Sequence, residues 1–195
     1  MAAQVLILVN GIPATGKTTL SRKLARDLNV PCIGKDDIKE LLFDRMGSAD
    51  IQWSKDHGGA TADMVFVLIE RLLDAGRSFM VENAFYQSFA RPRISAMLES
   101  RNVTCLEIYC TADQEVRIAR FKARNESGER HPGHVDHNYY TTLEDVDETV
   151  KRYAPLDIGP RITVDTTSFG DEDYATLVAQ VKKTLGQAIT TEGTI

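Results

Sequence analysis

Five short runs of aliphatic and β-branched residues punctuate the chain, and between them apolar positions recur every three or four residues. The runs are QVLILVN (4–10), VPCIG (30–34), RSFMVEN (77–83), VTCLEIYC (103–110) and RITVDT (161–166). The first, third and fourth are nearly continuous in apolar residues, which predicts strands covered on both faces. The helical patterns span 17–28, 36–46, a long segment around 61–75, then 89–100, 112–125 and a last one over 171–185. The closing TTEGTI is expected to fray. Strand and helix alternating in this way predict an α/β fold, a five-stranded, mostly parallel sheet with helices on both faces. No linker, internal repeat or low-complexity block divides residues 1–195, so one domain is expected. One stretch breaks the pattern: ARNESGERHPGHVDHNYY (123–140) is polar, lacks a core face and holds all but one of the histidines. A long polar insertion in a compact domain points to a functional segment.

Composition changes this picture little. Apolar residues make up 43% and charged residues 26%, as in ordinary globular proteins. A net charge of -5 gives no global positive field toward nucleic acid or anionic membrane. Three cysteines, Cys32, Cys105 and Cys110, lie in apolar runs, which fits reduced, buried thiols in a cytoplasmic protein. The apolar N-terminal run lacks a basic segment before it and is too short to span a membrane, so it reads as a strand.

The chemistry begins where that first strand ends. Gly11, Ile12, Pro13, Ala14, Thr15, Gly16, Lys17 and Thr18 spell G-x-x-x-x-G-K-T, with Thr19 next, between an apolar strand and a periodic helix. Two glycines let the backbone curl its N–H groups onto phosphate oxygens, Lys17 brings a cation to the β- and γ-phosphates, and the Thr18 hydroxyl suits Mg²⁺. The helix dipole adds to the anion site. This is a P-loop, and ATP with Mg²⁺ is the expected ligand pair. The absence of Asn-Lys-x-Asp counts against a GTPase, and the lack of a strand ending in Asp-Glu counts against a motor ATPase.

After the second run comes GKDDIKE, two carboxylates at a strand's carboxyl end, where open α/β sheets bind ligands. A carboxylate there orients a hydroxyl and takes its proton. Capping of the following helix is the competing role for Asp36 or Asp37, and with two adjacent residues both roles can be filled.

GIPATGKTTL followed by GKDDIKE resembles the P-loop kinases of the AAA_33 group, including zeta toxin, chloramphenicol phosphotransferase and polynucleotide 5'-hydroxyl kinase. The resemblance implies a P-loop NTPase fold with a lid insertion, here about 117–140. In the polynucleotide kinase branch the motif is Arg-Asp-Asp-x-x-Arg. By position it makes Asp36 the base, puts Lys35 at the first arginine, and puts Lys39 at the acceptor-contacting second one. Lysine lacks arginine's bidentate fork, which argues against a nucleic-acid end as acceptor. Glu82 stands where relatives carry a strand-terminal acid, suited to a Mg²⁺-bound water or the acceptor, or else simply satisfied by a basic neighbour. Arg93, with Arg91, begins the next helix within reach of the acceptor, although solvated charges are the commoner explanation. Arg117, Arg120 and Arg124 share one helix face. The resemblance makes Arg124 the lid arginine and Arg120 a residue for the adenine or α-phosphate.

His131, His134 and His137 recur at intervals of three with Asp136 among them. Pro132 and Gly133 break the helix that would align them as metal ligands, so contact with substrate or closure of the lid is the better reading for His131 and His134. Tyr139 and Tyr140 are candidates to stack on an acceptor or to anchor the core. His57, ahead of the long third helix, is placed at the border of the acceptor pocket, and Thr166 and Thr167 are placed beside the adenine by analogy of fold. The expected activity is ATP-dependent transfer of the γ-phosphoryl group to a hydroxyl of a small molecule. The alternatives are a polynucleotide 5'-hydroxyl kinase and a non-catalytic ATP-binding switch. Acceptor identity and oligomeric state are not legible in the sequence.

Overall fold

The computed structural model describes residues 4–128, 130–134 and 150–190, the side chains of 187–190 excepted. Along the chain run β1 (Gln4–Gly11), α1 (Lys17–Leu28), β2 (Cys32–Gly34), α2 (Lys35–Met46), α3 (Ile51–Asp74), β3 (Phe79–Glu82), α4 (Gln87–Leu98), β4 (Val103–Thr111), α5 (Gln114–Glu126), β5 (Arg161–Asp165) and a last helix, α6 (Asp171–Thr190). The sheet order is β2-β3-β1-β4-β5, and every pairing is parallel.

β1 is central, and its alternation divides the core in two. Val5, Ile7 and Val9 face one side, packed with Leu20 and Leu24 of α1 and with Tyr174, Leu177 and Val181 of α6. Leu6 and Leu8 face the other, packed with Val65, Phe66, Ile69 and Leu73 of α3 and with Ala90 and Ile94 of α4. A strand covered on both faces has to be apolar at successive positions, which is why LILV is continuous. Register then aligns the carboxyl ends. Gly34 and Val9 both pair with Glu82, and Gly11 pairs with Cys110, so β2, β3 and β1 end together at one edge of the sheet.

α3 departs most from the periodic pattern, starting at Ile51 rather than near 61. Gly58 and Gly59 weaken the helical signal there. The Asp50 side chain nonetheless caps the helix, accepting from Trp53 N–H at 2.8 Å, and the missing Cβ at Gly58 leaves room for a side chain of α2. The reading of three buried thiols holds for two of them. Burial pushes Cys105 and Cys110 up to about 12, whereas Cys32 is only half-buried. Among the described residues no helix is long and apolar enough to cross a membrane.

Candidate active site

The loop between β1 and α1 is fixed by its own backbone. Gly11 has φ 140°, and a Cβ there would stand 2.1 Å from the Cys110 carbonyl oxygen, so this position admits only glycine beside β4. Ala14 and Gly16 take left-handed φ of 65° and 74°. The Thr15 hydroxyl donates to Ile12 O at 2.8 Å, and the Lys17 ammonium donates to the same carbonyl at 2.9 Å. Thr166, after β5, donates to Thr15 O at 2.9 Å and ties the loop to the far side of the sheet. Thr19 follows Thr18 in the first turn of α1, and both are exposed.

Three charges meet at this edge. Lys17 is 6% exposed, and burial lowers its pKa while Glu82 and Asp36 work against that lowering. Glu82, 7% exposed at the end of β3, is raised by burial, with Lys17 opposing. Its Oε2 accepts from the Thr18 hydroxyl at 3.2 Å. Thr18 and Glu82 therefore present two hard oxygen donors side by side, a set that fits Mg²⁺. Arg124 of α5 lies close enough for its charge to lower Lys17 further, and its guanidinium sits 5.2 Å from the Phe121 ring.

Asp36 stands in the first turn of α2. The N-cap of that helix is Gly34, with no side-chain cap bond, so neither Asp36 nor Asp37 fills the capping role that the sequence allowed. Asp37 instead pairs with Arg22 of α1 at 2.6 Å. Asp36 Oδ2 pairs with Arg130 Nη1 at 3.2 Å. Burial raises the Asp36 carboxyl, but Arg130, His134 and Lys35 together outweigh it and hold the group below the usual range. One helical turn on, Glu40 pairs with His134 at 2.9 Å, and one turn further Asp44 pairs with His131 at 3.1 Å. The Phe43 ring lies between them, its centroid 5.5 Å from His131 and 5.3 Å from His134. A Cβ on Gly133 would stand 2.2 Å from that ring. Segment 130–134 is thus seated along one acidic stripe of α2.

The remaining sequence candidates divide. Lys39 donates to Ser54 Oγ of α3 at 3.0 Å, and His57 stacks on Trp53 with centroids 3.4 Å apart. Arg120 bonds Thr166 through both its hydroxyl and its carbonyl, at 3.0 and 2.5 Å, while Thr167 accepts from Asp113 N–H. Arg93 turns to Asp63 of α3 at 2.6 Å and lies over Phe89, on the outer side of α4. The exposed Arg91 shares that helix, and Arg117 of α5 is buried. Among the described residues no cluster of His, Cys, Asp and Glu could hold a metal ion. Asp136, His137, Tyr139 and Tyr140 lie outside the described residues.

Four participants carried no sequence signal as strong as the loop's. Arg130, Glu40, Asp44 and Phe43 were missed, although acids at 36, 40 and 44 repeat at helical spacing. A buried brace was missed too. Asn10 donates to Glu107 Oε1 at 2.9 Å and accepts from Phe85 N–H at 3.1 Å, while Glu107 also takes the Leu156 N–H. These bonds satisfy a buried carboxylate and fix the loop after β3 beside the site.

Residues 6–155 match the AAA_33 family, described as an AAA domain. A structure from Chloroflexus aurantiacus, of a protein assigned as a kinase, superposes with a TM-score of 0.83 at 34% identity, covering 93% of this chain and 98% of its own. Cytidylate kinase of Pyrobaculum islandicum is 28% identical over 121 residues, which are 62% of this chain and 61% of that enzyme, so the chain spans about three fifths of its length. A gluconokinase from Sinorhizobium meliloti has a TM-score of 0.55 at 13% identity, covering 98% of this chain and 97% of its own, a likeness of fold alone. Matched over most of its length, the chain belongs to the AAA_33 family and has its P-loop kinase fold.

Proposed function

We propose that this protein is a kinase that moves the γ-phosphoryl group of ATP to a hydroxyl of a small molecule. The observation that carries this reading is that β1, β2 and β3 end together, so that the P-loop with Lys17, Glu82 at the end of β3 bonded to Thr18, and Asp36 in the first turn of α2 share one edge of the sheet. A phosphate-holding cation, a metal-suited carboxylate and a candidate base in one neighbourhood are what in-line transfer to a hydroxyl requires.

Asp36 accepts the hydroxyl proton as the oxygen forms its bond to the γ-phosphorus and the bond from that phosphorus to the bridging oxygen breaks, leaving ADP. Its lowered pKa keeps it ionised, and so able to accept a proton, at neutral pH. Arg130 has to yield its place on the carboxylate to the acceptor hydroxyl. Lys17 leaves the Ile12 carbonyl for phosphate oxygens, and with Arg124 it offsets charge on the transferring group. Thr18 and Glu82 would hold Mg²⁺, which when bound neutralises phosphate charge. Lys39, His131 and His134 line the acceptor side of Asp36, and Arg120 with Thr166 the nucleotide side. One domain, a lid over about 117–140 and a cytoplasmic setting complete the reading.

The test is ADP release from Mg²⁺-ATP with pools of antibiotics, nucleosides, sugars and 5'-hydroxyl oligonucleotides. Asp36→Asn should keep ATP affinity and lower the stimulated rate by about 10²–10⁴-fold. Full turnover in that variant would remove Asp36 as the base. Stimulation by oligonucleotides alone would replace the small-molecule acceptor with a nucleic-acid end.

A further inference from the structure

α3 is apolar on two sides. Val65, Phe66, Ile69 and Leu73 are buried in the core beside β1. Yet MVFVLI is apolar at every position from 64 to 69, whereas a helix with one buried face needs apolar residues at roughly three to four of every seven. The surplus faces water: Met64 is 43% exposed, Val67 55% and Leu68 39%. Ala60, Met64, Val67 and Arg71, all exposed, recur at spacings of four, three and four, the seam of a helix that packs on another helix. Val67 is a poorer helix former than alanine, so the helix itself gives no reason for it. The patch continues onto α4, where Arg93 pairs with Asp63 and lies 5.1 Å from the Phe66 ring and 4.3 Å from the exposed Phe89. Charges border the stripe in a self-complementary order. Asp63 stands four residues before Val67 and Arg71 four residues after it. Arg93 engages only Oδ1 of Asp63, and that side chain remains exposed.

We infer that this face binds a second copy of the chain, α3 against α3 and antiparallel, about a two-fold axis at Val67. With Val67 level with its own counterpart, Arg71 of each copy is level with Asp63 of the other. One surface then covers Met64, Val67 and Leu68 of both copies and brings two Arg–Asp pairs together, which is the self-complementarity a two-fold interface requires. A parallel pair would set Asp63 against Asp63 and Arg71 against Arg71, so the charges select the antiparallel arrangement. A lipid surface would call for cations around the stripe, whereas Asp63, Glu70 and Asp74 stand along it.

The first measurement is sedimentation equilibrium of the full chain between about 1 and 200 µM, the range in which a short helix seam should associate. The mass should rise from monomer to dimer. Val67→Glu and Arg71→Asp should each raise the dissociation constant at least about tenfold. Both residues are exposed, so the urea midpoint of each variant at the lowest concentration should match that of the unaltered protein. Register is read with disulfides in a Cys32→Ser background, which removes the half-buried thiol. On mild oxidation Val67→Cys should link to its own counterpart. Ala60→Cys should not, because its counterpart would lie about 21 Å away along the pair. A mixture of Ala60→Cys and Asp74→Cys should link one to the other, since 60 and 74 are level across the same axis.

Dimerisation lost in Val67→Glu, with the self-link at 67 and the mixed link between 60 and 74, upholds the inference. A monomer at every concentration overturns it and leaves the face to a different occupant. A dimer untouched by Val67→Glu overturns it by placing the contact elsewhere on the molecule. Self-linking of Ala60→Cys as strong as that of Val67→Cys overturns the antiparallel register.

Discussion

The two sides of this site are built in different ways. On the nucleotide side, the P-loop is shaped by local bonds, Thr15 and Lys17 both donating to Ile12, three and five residues away, and is tied outward through Thr166 and Glu82. On the other side, Asp36 meets Arg130 and Glu40 meets His134, each across 94 residues, and Asp44 meets His131 across 87. The first side is backbone geometry. The second is a set of ion-pair and histidine–carboxylate contacts around one ring, and such contacts, partly exposed to water, are individually weak and exchangeable. On the proposed function, the difference would place selectivity on the second side: a donor nucleotide can be held rigidly, whereas an acceptor would enter by displacing contacts such as Arg130 on Asp36.

Lys17→Ala should be the most damaging single change. It removes a buried cation beside Glu82, and it should cost about 10²–10³-fold or more in phosphoryl transfer while also weakening ATP binding. Asp36→Asn should spare ATP binding. If Lys17→Ala spared it as well, the two sides would not be separable in this way. ATP titration of both variants by calorimetry is the check.

Phe43→Ala attacks the other side. The ring is 2% exposed and is touched by Trp53, His57, His131 and His134. Its loss should lower stability by about 3 kcal/mol, read as a urea midpoint, and should raise the acceptor KM through a loosened segment 130–134 while ATP affinity holds. Loss of ATP affinity to the same degree would mean that α2 and the P-loop form one unit.

The same contrast explains what could be read from the chain alone. Gly11, Gly16, Lys17 and Thr18 were legible because a backbone that curls within eight residues needs those residue types in that order. The sheet was legible because strands buried on both faces have to be apolar. The α2 stripe was not: Asp36 showed as a candidate base, but Arg130 was one charge in a polar stretch, and Glu40 and Asp44 looked like solvated helix acids. Nothing local marks a partner 94 residues away. The first turns of α3 were hidden because Gly58 and Gly59 argue for a break, while the cap at Asp50 and the notch under Lys39 become evident only in three dimensions.

A smaller effect tests whether the shared edge trades stability for chemistry. Burial raises the Glu82 carboxyl above its ordinary value, so the folded state favours the neutral form. Folding stability should therefore fall as pH rises from the unfolded carboxylate range, about 4.3, through the raised folded value. Glu82→Gln should abolish that slope and raise stability near neutral pH by roughly 1 kcal/mol, with Mg²⁺-dependent turnover reduced. Melting curves between pH 4 and 8 would reveal it (about four pH units, spanning the titration). An unchanged slope would assign the pH dependence to another group.

The smallest expected effect lies inside the loop. Ala14 holds a left-handed φ of 65° without being glycine, a conformation that costs an L-residue roughly 1–2 kcal/mol. Ala14→Gly relieves that strain but gives the unfolded chain more freedom, so the net gain should be at most about 1 kcal/mol. Nucleotide affinity should hold, because the loop's shape is also fixed by Thr15, Lys17 and the Thr166 tie to Thr15 O. Weaker nucleotide binding in the glycine variant, measured by calorimetry beside the urea midpoint, would show that Ala14 holds the loop ready for phosphate. The nucleotide side would then owe its rigidity to one side chain's restricted backbone as well as to its hydrogen bonds, and the division between a backbone-built and a side-chain-built half would narrow.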